Sequence, residues 1–291
     1  MWERFTDPAV AARLSTLDIP FNRYGLDPFG ISREHLGAFY SMLSVFYHRY
    51  FRCLTFGIEQ VPSTGPVMLV GNHSGGLPVD GGMVIASMFF DHHPPRHTHG
   101  MVEKFAQHWP VVSPLFSRVG QLTGLPEHAQ QLLRAGRVLM VFPEGARGTG
   151  KLYKDKYQLV QFGTGFVRLA LSMNTPIVPL AFIGGEEAIP TVYHAKKVAQ
   201  WIGAPYVPIT PYGLPVPLPV QCSLHYGAPL RFEGDGSEPD HVIEGYVDQV
   251  KARIESLIEE GRDARRTRLA AQKAEKAALK VAQKSGSGGA V

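Results

Sequence analysis

Pro66-Val67-Met68-Leu69-Val70-Gly71-Asn72-His73-Ser74-Gly75-Gly76-Leu77-Pro78-Val79-Asp80 decides the fold: an apolar run stops at a glycine and opens into a polar block. A short apolar run bounded by proline and glycine reads as a buried strand. A second run, Arg137-Val138-Leu139-Met140-Val141, opens in the same way into Phe142-Pro143-Glu144-Gly145-Ala146-Arg147-Gly148. Functional groups of α/β folds gather where such strands end. His73 with its downstream Asp80, and Glu144 with Arg147, are therefore expected to meet at one edge of one sheet.

His73 is the candidate general base, because imidazole titrates near neutral pH and can take and return a proton. Asp80 is its candidate orienter, a carboxylate that fixes the tautomer and stabilises the imidazolium. Ser74 is read as turn chemistry, since no G-x-S-x-G elbow surrounds it. Gly75 and Gly76 let the backbone approach a ligand closely. Arg147 has the fork geometry that binds phosphate bidentately. A hydrogen-bonded structural histidine and a surface Glu–Arg pair are the plainer alternatives.

The two blocks resemble the histidine–aspartate and F-P-E-G-x-R motifs of the glycerolipid acyltransferases, the lysophosphatidate acyltransferase family. Pro176-Ile177-Val178-Pro179-Leu180-Ala181-Phe182 is similar to a further family strand, and the resemblance runs from about Gly57 to Leu230. It implies that His73 deprotonates an acceptor hydroxyl, which attacks the thioester of acyl-coenzyme A or acyl carrier protein. It also implies that Asp80 holds His73, and that Asn72, Ser74, Glu144, Gly145 and Arg147 bind substrate. No metal or redox cofactor is implied, because a thioester is already activated. Six residues separate His73 from Asp80 where the family usually has four, so the loop is expected to bulge, as in a diverged branch that includes relatives of diacylglycerol acyltransferases. The family's phosphate-binding arginine has no counterpart in Gly120-Gln121-Leu122-Thr123-Gly124-Leu125-Pro126, with Arg118 and Lys104 the candidate substitutes. Neutral mono- or diacylglycerols or long-chain alcohols thus join lysophospholipids and lysophosphatidate as expected acceptors. A lipid-binding relative without catalysis and an acyl-thioesterase are the alternatives.

With 291 residues, 44% hydrophobic and 19% charged, the chain can bury a full core. Cys53 and Cys222 form no zinc or disulfide pattern, and reduced thiols are expected. The start, Met1-Trp2-Glu3-Arg4-Phe5-Thr6-Asp7, has no basic-then-apolar leader, and no apolar run is long enough to span a bilayer. Alternating strands and helices give the expected α/β class: a mixed, largely parallel central sheet flanked by helices, with an N-terminal amphipathic helix and a basic C-terminal helix. The expected boundaries are 1–56, an N-terminal helical segment that associates with membrane; 57–260, the acyltransferase domain; and 261–291, a basic helical tail and flexible end.

Ser32 is expected to cap a wide aromatic helix ending near Arg52, serving either the core or the lipid headgroup region. Gly81 to Phe90 reads as a buried helix, and Asp91 to His99 as a polar connecting loop rather than a metal site. Strand and turn are expected over 100–105, and helices over 109–119, 127–135, 158–174 and 240–260. Residues 151–157 are basic and aromatic, suited to a coenzyme A phosphate or headgroup or simply to solvent. The proline-rich stretch 205–219 fits neither a central strand nor a helix, leaving a lid, an acyl-chain cover or a membrane-facing loop. From Arg262 the cations outnumber Asp263 and Glu275, a pattern that reads as contact with anionic lipid, ahead of nucleic acid, for which no recognition motif is present. The expected setting is the cytoplasmic face of a membrane, peripheral or monotopic.

Overall fold

The computed structural model describes residues 3–74, 77–102 and 112–286. Its strands are β1 (Leu54–Phe56), β2 (Val67–Gly71), β3 (Thr98–Val102), β4 (Leu122–Thr123), β5 (Val138–Val141), β6 (Ile177–Ile183), β7 (Tyr193–His194), β8 (Pro208–Ile209) and β9 (Ser223–Tyr226). Seven of them form one sheet in the order β1-β9-β6-β2-β5-β3-β4, while β7 and β8 make a separate hairpin. Every pairing in the large sheet is parallel except β6 with β9. A parallel strand covered on both faces needs apolar side chains all along it, and every residue of β2 is buried.

The helices are α1 (Pro8–Leu14), α2 (Arg33–Ser44), α3 (Val79–Phe90), α4 (Val112–Arg118), α5 (Pro126–Arg134), α6 (Ala146–Thr149), α7 (Gly165–Ser172), α8 (Gly185–Ala188), α9 (Lys196–Ile202) and α10 (Asp240–Gly286). Side chains alternate across the sheet with period two. Val67 and Leu69 join a core with α1, α2 and α3, whereas Met68 and Val70 join a second core with α5, α7 and α10. The N-terminal segment thus shares the first core with the sheet: Val10, Leu36, Tyr40 and Leu43 pack in the same cluster as Val67 and Leu69.

Ser32 caps α2 by accepting from the His35 N–H. The helix widens into π-helical turns over Val45–Tyr50, and its aromatic stripe divides. Tyr40 and Tyr47 are buried, while Met42, Val45 and Phe46 stay exposed. The Tyr47 hydroxyl reaches the Asp91 carboxylate at 2.5 Å.

Several elements differ from expectation. Residues 91–97 form the expected connection, but β3 begins already at Thr98, and His97, Thr98 and His99 are buried. The Tyr40 hydroxyl meets His97 Nδ1 at 2.7 Å, and His99 Nδ1 donates to the Gly120 carbonyl at 3.0 Å. Burial pushes His99 down to about 3, so its ring is neutral and structural. The helix expected over 158–174 starts only at Gly165, because the backbone of 158–161 bonds to side chains of the site described below. The final helix does not stop at Glu260 but runs unbroken for 47 residues. Gly261 is no helix end there: a Cβ on it would lie 2.7 Å from Ile183, so glycine lets α10 lie close on β6. Ser285 and Gly286, expected in a flexible end, belong to that helix. The short strands β1, β4, β7 and β8 were not expected. Residues 103–111 and 287–291, with their expected turn, helix start, flexible end and Lys104, lie outside the described residues.

Gly57 has φ 71°, and a Cβ there would meet the Tyr226 carbonyl at 2.3 Å. Gly57→Ala should therefore destabilise the β1–β9 edge by at least about 1–3 kcal/mol, read as a lower midpoint in denaturant unfolding; an unchanged midpoint would refute this packing.

Candidate active site

β5, β2 and β6 are neighbours, and their carboxyl ends supply three loops to one place. After β2 comes His73, whose Nδ1 lies 2.7 Å from Asp80 Oδ2. Asp80 sits in the first turn of α3, where a helix favours negative charge. Its Oδ2 also accepts from the Ser74 N–H at 2.8 Å, and its Oδ1 from the Gly81 N–H at 2.8 Å. The longer spacing therefore still brings the two side chains together: the Asp80 carboxylate both binds the ring and ties down the Ser74 backbone. The His73 side chain is 16% exposed while that of Asp80 is fully buried. Its ring stacks on Phe142, from the second block, with centroids 4.2 Å apart and planes 6° from parallel.

After β5 comes Glu144, buried, with both oxygens engaged by the protein. Oε1 accepts from the His73 N–H at 2.8 Å; Oε2 accepts from the Val160 N–H at 2.9 Å and from Lys151 Nζ at 3.2 Å. Lys151 Nζ also donates to the Gln158 carbonyl at 2.9 Å. Gly145 adopts φ 57°, ψ −153°, a backbone region open to glycine alone. A Cβ on Gly148 would stand 2.8 Å from both the His73 and Glu144 Cβ atoms. Arg147 is exposed on α6 and donates to the Gln161 carbonyl at 3.1 Å.

The remaining residues expected at the site lie at its base. Asn72 extends the ladder to β6: its Nδ2 donates to the Phe182 carbonyl at 3.1 Å, and its Oδ1 accepts from the Phe182 N–H at 2.8 Å. Ser74 Oγ is buried without a partner among the described residues, hard against Gly185. Gly75 and Gly76 lie outside the described residues. At the family's arginine position the chain forms β4, and Arg118 donates to the Gly30 carbonyl.

Two charged residues at the site were not marked as site residues from sequence alone. Lys151, read there as part of a basic stretch suited to a coenzyme A phosphate or headgroup or to solvent, is committed to Glu144 with its side chain 5% exposed. Glu186 follows β6 in Gly184-Gly185-Glu186-Glu187 and is buried. Its Oε1 accepts from the Tyr157 N–H at 3.2 Å, and its Oε2 has no partner among the described residues. Burial pushes its carboxyl up to about 7, against the pull of nearby Lys151. A carboxylate directly after Gly-Gly at a strand end was the available signal. Among the described residues no cluster of His, Cys, Asp and Glu is arranged to hold a metal.

Loops gathered at the carboxyl edge of this sheet thus bring an aspartate-held histidine beside a buried glutamate. Residues 54–183 match the Acyltransferase family. An uncharacterized protein of Mycobacterium leprae is 35% identical over 81% of this chain and 67% of its own length. The human DGAT1/2-independent enzyme synthesizing storage lipids is 24% identical over 70% of this chain and 60% of its own. In fold the chain resembles the 1-acyl-sn-glycerophosphate (LPA) acyltransferase PlsC from Thermotoga maritima, with a TM-score of 0.51 and 17% identity over 77% of this chain and 82% of that one. The chain belongs to the acyltransferase family.

Removing Lys151 leaves the Glu144 charge buried without its cation. Lys151→Ala should lower stability by about 3–5 kcal/mol, and Glu144→Gln in the same chain should return part of the loss in a denaturant-based double-mutant cycle; additive losses would show that the pair does not interact. Glu186 holds its proton more tightly when folded, near 7 against an ordinary 4.5. Its contribution to stability is full below the ordinary value and is withdrawn as pH rises through the folded value. The melting temperature of Glu186→Gln relative to the native chain should therefore climb between about pH 5 and about pH 8; a difference that does not vary with pH would place the Glu186 titration elsewhere.

Proposed function

We propose that this chain moves a fatty acyl group from an acyl thioester, acyl-coenzyme A or acyl carrier protein, to the hydroxyl of a glycerolipid at a membrane surface. The observation that carries the proposal is the 2.7 Å contact between His73 Nδ1 and Asp80. With Nδ1–H donating to the carboxylate, the lone pair is on Nε2, the atom that acts as base. Nε2 takes the acceptor hydroxyl proton as the oxygen attacks the thioester carbonyl. The tetrahedral adduct then collapses, the carbon–sulfur bond breaks, and Nε2 returns the proton to the departing thiolate. Asp80 keeps its own charge and stabilises the imidazolium between the two transfers.

Glu144 acts as a positioning residue: it grips the His73 backbone N–H and fixes the loop from which the imidazole projects. Arg147, exposed at the rim, is the group suited to an anionic part of donor or acceptor. With leucine where the family carries an arginine, neutral mono- and diacylglycerols stand beside lysophospholipids as acceptors.

His73→Ala should fold normally and lose about 10²–10⁴-fold in transfer rate. Asp80→Asn should lose a comparable factor by releasing the ring from its tautomer. Mass spectrometry of products from a mixed panel of phosphorylated and neutral acceptors reads both rate and acceptor class. Free fatty acid formed at the native rate without any acceptor would make the chain a thioesterase instead, and full transfer by His73→Ala would remove the mechanism.

A further inference from the structure

Between Glu187 and Glu233 the chain contains no Asp or Glu. That stretch carries β7, α9, β8 and the proline-rich strap that follows them. Hydrogen bonds tie it to the rest of the domain. His194 Nε2 donates to the Gly150 carbonyl at 2.8 Å, the Tyr206 hydroxyl bonds Thr149, and the Tyr50 hydroxyl bonds the Pro217 carbonyl at 2.5 Å. Several of its large apolar groups turn outward: Val198, Trp201, Leu214, Val216 and Leu218 are exposed, Trp201 by 87%. Exposed large apolar side chains gathered in one segment of chain are the kind of surface that marks an interaction site. Exposed on α9 beside Val198 and Trp201 are Lys196 and Lys197.

We propose that this face docks on an anionic lipid bilayer, an inference that rests on the acyl-transfer function above. Trp201, Leu214 and Val216 enter the boundary between headgroups and acyl chains, where tryptophan is favoured. Lys196 and Lys197 lie among the lipid phosphates, with no carboxylate in the segment to repel them. Past the strap, a groove between Pro219–Gln221 and α10 continues the cationic rim with Arg52, Arg265 and Lys276 against Glu275.

The backbone suits the same occupant. Irregular chain near hydrocarbon is costly through unbonded N–H groups, and Pro205, Pro208, Pro211, Pro215, Pro217 and Pro219 have none. The same prolines deprive a protein partner of the donors it would need to add a strand. The face is also close to the chemistry: Thr149 and Gly150, to which it is bonded, end the helix whose Gly148 presses against His73. The segment is thus tied to the helix that packs on the catalytic loop.

The test uses sonicated vesicles of phosphatidylcholine, with and without phosphatidylglycerol. Leu214→Asp/Val216→Asp should partition at least about tenfold more weakly than the native chain in co-sedimentation, and Lys196→Glu/Lys197→Glu should lose the preference for phosphatidylglycerol. In a Trp2→Phe/Trp109→Phe chain, Trp201 emission should shift to the blue on vesicle addition. Circular dichroism checks that each variant is folded. Native sedimentation by the folded Leu214→Asp/Val216→Asp protein, or an unshifted Trp201, overturns docking through this face. So does a dimer in size-exclusion chromatography that the same substitutions dissolve while vesicle binding is unchanged, since the face then joins two copies. His73→Ala should sediment like the native chain. Vesicle binding without transfer by the native chain would sink the enzymatic function and leave the docking intact, while transfer with unaltered sedimentation of the variants does the reverse.

Discussion

One buried carboxylate holds the site together. Glu144 accepts the His73 N–H with one oxygen and the Val160 N–H and Lys151 ammonium with the other. The loop after β2, the loop after β5 and the extended segment before α7 are thereby tied to a single group. An ionised carboxylate is tolerated away from water only when opposite charge and hydrogen bonds replace its hydration. Glu144 has three donors, one of them charged, in a place that excludes solvent. Hydrogen bonds to a charged group are directional, so the His73 backbone is pinned beside Glu144.

Close packing around that carboxylate follows from small residues. Gly148 lets α6 touch both His73 and Glu144, and Gly185 lets the end of β6 touch Ser74. On the resulting floor the His73 ring lies flat against Phe142 while Asp80 grips its Nδ1. The imidazole is thus fixed by a stack on its face and a hydrogen bond at its edge. An imidazole held in this way needs little reorganisation to exchange a proton, which is what the proposed acid–base role asks of it. A second buried acid, Glu186, lies close enough to feel Lys151 yet has one oxygen unbonded among the described residues, so it keeps its proton to near neutral pH while Glu144 takes the cation.

The molecule is polarised around this centre. On the sheet's first face the N-terminal helices are part of the core, with Tyr40 stacked on Phe89 of α3. On the opposite face α10 packs in the core with β6, and Arg265 on it donates to the Gln221 carbonyl. Between them the proline-rich strap is bonded inward by Tyr50 and Tyr206 and leaves its apolar side chains in solvent. Among the described residues no helix is long and apolar enough to cross a membrane.

Local pattern alone was enough for the strands β2, β5 and β6, since buried parallel strands must be continuously apolar, and for the helices α2 and α3 with the Ser32 cap. The family's two motifs marked His73, Asp80, Glu144 and Arg147, because their residue types and order are written along the chain. Pattern could not show that 158–161 would forgo a helix: those residues look helical, and only the arrival of Glu144, Lys151 and Arg147 from elsewhere draws their backbone groups away. Nor could it show that Gly261 would lie inside a helix, since a glycine reads locally as a stop and becomes a contact only where Ile183 packs against it. Lys151 looked like any loop lysine until folding buried it against a carboxylate seven residues away. What the chain determined by itself was the period of its apolar residues and the identity of its reactive groups. Which of those groups bind one another was decided by tertiary structure, because hydrogen bonds and ion pairs depend on distance in space, and burial sets their strength.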